Sequence, residues 1–126
     1  MNLHTVFATK NYCYTDLPNM SKVLGIMVHS TGCNNPNLRR YVGPDDGLLG
    51  PTSSANWNQR TINGKVQKLG VHAFLGKLKD GSIATYQVQT GNHKCYHCGV
   101  GTSGKSGNSN YIAFEICEDN LADEAY

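Results

Sequence analysis

The chain has 126 residues, 39% apolar and 16% charged, a balance that excludes disorder and a highly charged protein. Its formal charge of +2 is too small to point to nucleic acid and mildly favours an anionic polymer. The length fits one domain with a single core, 1–126. No stretch is apolar enough to be an export signal or to span a membrane, so the expected product is made in the cytoplasm, with no membrane or nucleic-acid partner.

In chain order, residues 1–22 are weakly patterned, with turn signals around Pro18-Asn19, and predict a loop with room for a short strand or helical turn. Val23–His29 is an apolar run that predicts a strand buried on both faces, ending in one imidazole, His29. A histidine where a buried strand leaves the core is placed to bind a metal or move a proton; the plainer alternative is a ring satisfied by a backbone carbonyl. Asn37–Val42 predicts one or two helical turns, with Leu38, Tyr41 and Val42 inward and Arg39 and Arg40 in solvent. Gly43–Ser54 predicts a long loop, anchored at its far end by Trp57.

Val71–Lys77 and Ser82–Gln89 are the expected arms of a hairpin that turns at Asp80-Gly81. In the second arm Ile83, Thr85 and Gln87 face one way and Ala84, Tyr86 and Val88 the other. Residues 90–110, rich in glycine, serine and asparagine, predict irregular chain. Tyr111–Cys117 is a second buried-strand pattern, and it carries a carboxylate, Glu115, that is costly to bury unless it is paired, hydrogen-bonded or protonated. From Asn120 the chain looks like the start of a helix.

Five cysteines, Cys13, Cys33, Cys95, Cys98 and Cys117, predict reduced thiols. His93-Lys94-Cys95-Tyr96-His97-Cys98 is the densest ligand cluster. A zinc knuckle there lacks a second ligand pair, and a thioredoxin-like pair lacks a following helix. The favoured alternative is a loop presenting one or two histidines over small packed cysteines. His72 is balanced between a structural place on the sheet and lining a site. Together His29, His72, His97 and Glu115 lie on or beside the three best strand candidates. They fit metal-assisted hydrolysis, in which imidazole holds Zn²⁺ and a carboxylate activates water.

Four stretches in order carry a family likeness: IMVHSTG (26–32), NNPNLRRYVGPDDGLLG (34–50), GVHAFLGKLKDGSIATYQ (70–87), and CYHCG (95–99) followed by NSNYIAFEICED (108–119). The chain resembles the zinc-dependent N-acetylmuramoyl-L-alanine amidases that share a fold with peptidoglycan-recognition proteins, in the branch of phage and prophage endolysins. The resemblance implies an α/β fold with a central, mixed, twisted sheet and flanking helices. It implies Zn²⁺ held first by His29, Glu115 and His97 as catalytic residues, and Thr31, Asn34, His72 and Tyr96 along the substrate. Tyr96 stands where the family's loop has tryptophan, and Val71 where some relatives have a catalytic tyrosine, so the load falls on Glu115. The implied activity is hydrolysis of the amide between N-acetylmuramic acid and L-alanine in bacterial peptidoglycan by zinc-activated water. The family's other two zinc ligands follow a long helix. The resemblance therefore implies a catalytic domain lacking its C-terminal helix and final ligand segment, weakly active or inactive by itself. Without that helix a sheet face is expected to be exposed. The alternative of another class is a non-catalytic peptidoglycan-binding module of the same fold.

Overall fold

The computed structural model describes residues 2–43, 46–51 and 53–119. A five-stranded mixed sheet organises them. Its strands are β1 (Leu3–Thr5), β2 (Gly25–Ser30), β5 (Ala73–Lys77), β6 (Ile83–Gln87) and β7 (Tyr111–Ile116), in the order β1-β6-β5-β7-β2. β5 and β6 are antiparallel, whereas β1 runs parallel to β6, and β7 parallel to both β5 and β2. Helix is sparse. One short helix, α1 (Tyr12–Asp16), and 3-10 turns at Leu38–Arg40 and Gly107–Ser109 are the helical pieces among the described residues. None of these is long and apolar enough to cross a membrane.

The expected hairpin is present, with Gly81 at φ 86° in its turn and the Asp80 carboxylate accepting from the Ser82 backbone at 2.9 Å. The predicted alternation in its second arm holds, since Ala84, Tyr86 and Val88 are buried while Ile83 is 55% exposed. A second small hairpin, β3 (Thr61–Ile62) with β4 (Lys65–Val66), was not predicted. Its turn is Asn63-Gly64, both at positive φ (51° and 75°), the pairing that a tight two-residue hairpin turn favours.

The strand ending at His29 forms, but it is not buried on both faces. β2 lies at the sheet edge, and its burial alternates. Ile26 and Val28 are 65% and 54% exposed, while Met27 and His29 are half-buried on the opposite face. The apolar run thus spans both faces, and the face that carries Ile26 and Val28 is open at β2. Leu3, Ile26, Val28 and Ile83 all stand on that face, as strand register requires.

The other face carries the core. Phe74, Ala84, Tyr86, Val88 and Ala113 from the sheet pack against Leu38, Tyr41, Val42 and Leu49 from the 38–57 segment. Tyr41 stacks on Phe74 at 5.3 Å between ring centroids, and Trp57 meets Phe74 edge-on at 5.2 Å, so the indole anchors this segment as expected. Arg39 and Arg40 are half-buried rather than in solvent. Arg39 donates to the carbonyls of Val42, Gly43 and Gly50, and Arg40 to that of Ala55. They close the loop by taking up carbonyls that no strand pairs. The helix expected from Asn120 lies outside the described residues.

α1 owes its position to Asn11. This side chain, 1% exposed, caps the helix by accepting from the Cys13 backbone at 2.8 Å and donates to the carbonyls of Trp57 (2.9 Å) and Leu69 (3.0 Å). The helix stops before Pro18, with Leu17 already extended. Asn11→Ala takes the Asn11 partner from two carbonyls and a helix end, and is expected to cost about 1–3 kcal/mol in urea unfolding. A loss under about 0.5 kcal/mol would show that water replaces these bonds freely.

Candidate active site

Residues paired laterally in a sheet share a face. One row, His4–Tyr86–Phe74–Glu115–His29, crosses all five strands. Its first half is aromatic core, in which His4 stacks on Tyr86 at 4.8 Å and Phe74 is enclosed by Tyr41 and Trp57. Its second half, on the parallel strands β7 and β2, is polar. The site lies where that row leaves the core, near the carboxyl ends of two parallel strands, a usual place for function in open α/β sheets.

His29 Nε2 is 3.0 Å from His97 Nδ1, with the ring planes at 64°. His97 comes from the irregular 90–110 loop, and Asn108 fixes it there. The Asn108 Oδ1 accepts from the backbone N–H groups of His97 (2.8 Å) and Cys98 (3.0 Å), while its Nδ2 donates to the Cys98 carbonyl (3.0 Å). Burial, then the neighbouring His29 and His72 rings, push the His97 imidazole down to about 4, so it is neutral at neutral pH. Its Nε2 is buried without a hydrogen-bond partner. If His29 donates to His97 Nδ1, that unpartnered Nε2 carries a proton and is a free donor. Asn108→Ala removes these bonds and the Cys98 thiol contact from this loop and is expected to cost about 1–3 kcal/mol in thermal or urea unfolding. The His29 and His97 ring resonances should lose their mutual nuclear Overhauser contact; an unchanged contact would mean that the loop holds itself.

Glu115 is 8% exposed, and its Oε2 has no hydrogen-bond partner. Burial, then the charge of Glu118, pushes its carboxyl up to about 7. Glu118 is the residue that sequence reasoning missed. It is 4% exposed; its Oε1 accepts from the Gly32 backbone at 3.1 Å, and its Oε2 is also unpartnered. The only signal for it was a second carboxylate three positions after Glu115. Thr31 is half-buried beside it, accepting from the Glu118 backbone at 3.4 Å and donating to the Cys33 carbonyl at 3.4 Å. The Thr31 backbone donates to the Ile116 carbonyl at 3.1 Å, so the exits of β2 and β7 are tied together. Gly32 turns there at φ 62°, in the left-handed region that favours glycine.

The other expected site residues are dispersed. Asn34 is exposed on the exit loop of β2. Tyr96 points to α1, with its ring 6.2 Å from Tyr12 and the Lys94 ammonium 5.7 Å above it. His72 is 2% exposed with both nitrogens engaged: Nε2 with the His93 carbonyl at 2.7 Å and Nδ1 with the Ala113 backbone N–H at 2.9 Å. It has no nitrogen left for substrate, and the substrate-lining expectation is corrected to a sheet-to-loop tie. Cys95 and Cys98 diverge. Cys95 is fully buried against Cys13, and Cys98 Sγ lies 3.4 Å from Asn108 Oδ1. A C-x-x-C site does not assemble.

Two facing imidazole nitrogens beside an orphaned carboxylate oxygen are donors that suit Zn²⁺. Among the described residues, no group of three or more His, Cys, Asp and Glu side chains is arranged to hold a metal ion. The donor types are ones that zinc takes, but among the described residues these side chains are not grouped to hold it. A scan against protein-family models and searches of curated proteins and of solved structures find no match to this chain.

Proposed function

We propose that this chain carries the catalytic face of a zinc-dependent peptidoglycan amidase, which cleaves the amide between N-acetylmuramic acid and L-alanine. One observation supports the reading most: a buried carboxyl with a free oxygen, Glu115, stands in register with His29, and His29 faces His97 at 3.0 Å. In this reading His29 would be the first residue to hold Zn²⁺, which would supply Lewis-acid polarisation of the scissile carbonyl. Glu115, pushed up to about 7, takes a proton from the attacking water and returns it to the leaving amine. The free Nε2 of His97 donates to the oxygen on which charge develops. Thr31, at the mouth of the β2 exit, and Asn34 beyond it contact the substrate; Tyr96, on the outer side of the His97 loop, contacts the more distant part.

The second reading is a peptidoglycan-binding module of the same fold without catalysis. Dye-labelled cell walls separate the two. The amidase reading expects soluble dye to appear when zinc exceeds protein, and to stop on chelation. Sedimentation of the chain with walls that release no dye under either condition would favour the binding module.

A further inference from the structure

Three segments are stitched together through their backbones: α1, the chain that follows the β3–β4 hairpin, and residues 93–98. The Lys68 carbonyl accepts from the Cys13 thiol at 3.2 Å, and the Leu69 carbonyl from the Asn11 side chain at 3.0 Å. The Gly70 N–H donates to the Tyr96 carbonyl at 3.0 Å, and the Lys94 N–H to the Pro18 carbonyl at 3.0 Å. On this platform Tyr12 and Tyr96 stack, with 6.2 Å between ring centroids and the planes at 26°. Cations lie over both rings: Arg60 at 5.0 Å and Lys68 at 5.6 Å over Tyr12, and Lys94 at 5.7 Å over Tyr96. The ring quadrupole attracts each cation, so these flexible side chains have preferred resting points. The charge here is one-sided. Asp16 is taken by Arg60, its Oδ2 accepting from Arg60 Nη2 at 3.0 Å. No ion pair joins Lys68 or Lys94 to a carboxylate among the described residues. Residues 47–79 carry Arg60, Lys65, Lys68, Lys77 and Lys79 and no acid. Lys68 is exposed and Lys94 half-buried, and each ammonium has three N–H donors to offer an anion.

We propose that Lys68 and Lys94, set on the Tyr12–Tyr96 stack, form a docking surface for a polyol-phosphate polymer. An ammonium binds phosphate as a point charge and needs no planar partner. Two ammoniums on rings that touch each other suit two phosphates carried on one flexible chain. The rings are already engaged with each other and with the cations. They offer little open face on which a nucleobase or a sugar could stack, which favours a polyanion that has neither. Charge holds the polymer, so binding releases counterions and weakens with salt. The surface uses neither zinc nor Glu115, so it stands or falls apart from the proposed hydrolysis.

The test is binding of the purified chain to a fluorescently labelled glycerol-phosphate oligomer, read by anisotropy with a chelator present and no peptidoglycan. Raising the salt from about 50 to about 200 mM should weaken binding roughly 7-fold, as two phosphate contacts require. Lys68→Gln combined with Lys94→Gln should bind about 10-fold more weakly than the parent at the lower salt and lose most of the salt dependence. Lys68→Arg combined with Lys94→Arg keeps both charges and should bind within about 2-fold of the parent. Tyr12→Leu removes a ring but no charge, and should weaken binding about 2- to 5-fold. An oligothymidylate of equal charge should bind no more tightly than the glycerol-phosphate oligomer. The proposal is overturned by no binding at the lower salt, by parent-like binding of the double Gln variant, by equal losses in the Gln and Arg variants, or by tighter binding of the oligothymidylate.

Discussion

Glu115→Gln is expected to lower peptidoglycan amide hydrolysis by about 100- to 10,000-fold, the usual contribution of a positioned general base. The amide keeps the volume of the carboxyl but cannot take a proton from water. The fold should survive and, above neutral pH, gain. The folded Glu115 carboxyl sits at about 7, whereas an unfolded one ionises near 4.5. The folded state therefore binds more protons than the unfolded state between those values. Stability falls as pH rises through that window, since charging the buried carboxyl becomes a cost of folding. Gln has no charge to bury, so the variant should lack this slope and be more stable than the parent at pH 8 by about 1–3 kcal/mol, with some screening by solvent allowed for. Urea unfolding at pH 5 and pH 8 reads both trends. Parallel pH dependence in the two proteins would show that Glu115 is not the group that burial raises. Full turnover in the variant would remove it from the mechanism.

Phe74→Ala is expected to be the most damaging single change to the fold. Phe74 is 1% exposed and sits mid-row in the central strand β5, between Tyr86 and Glu115. Tyr41 stacks on it and Trp57 meets it edge-on, so its ring joins the sheet to the 38–57 segment. Removing the ring opens a cavity under two aromatic partners whose segment has only the Leu38–Arg40 turn as regular structure among its described residues. The cost should be about 3–5 kcal/mol, a large part of the stability of a domain this size. Far-UV circular dichroism in urea should show a midpoint shifted strongly downward. Trp57 fluorescence should change before the main transition, as the segment detaches. A loss below about 1 kcal/mol would mean that the 38–57 segment does not depend on this contact.

The hairpin was legible because Asp80-Gly81 and strict alternation agree, and both are local signals. β7 was legible because its apolar run marks a strand, whereas its place between β5 and β2 was not. The same signal misled at β2. Ile26 and Val28 look like core residues, yet they face the side of the sheet that no described residue covers, and sequence does not say which face is covered. The Asn63-Gly64 turn was legible in principle, but its strands are two residues long and too short to show a period.

At the site, His29 and Glu115 were readable as polar residues in apolar runs. Their alignment was not, because it depends on the register of two strands far apart in sequence, as does the meeting of His29 with His97. Glu118 lies just past the strand end, where alternation no longer says which way a side chain points. His72 shows the opposite case: its two ring nitrogens are spent on backbone groups that only the fold brings near.

The most direct test of the catalytic assignment is chemical. Purified peptidoglycan is incubated with the chain and excess zinc, and newly freed amino groups are tagged and identified. Slow, chelator-sensitive appearance of amino-terminal L-alanine is expected, with no new reducing sugar ends and none of the alanine when Glu115→Gln replaces the parent. New reducing ends, free termini of another amino acid, or alanine release that is equal in the variant would contradict a zinc amidase site built on His29, His97 and Glu115.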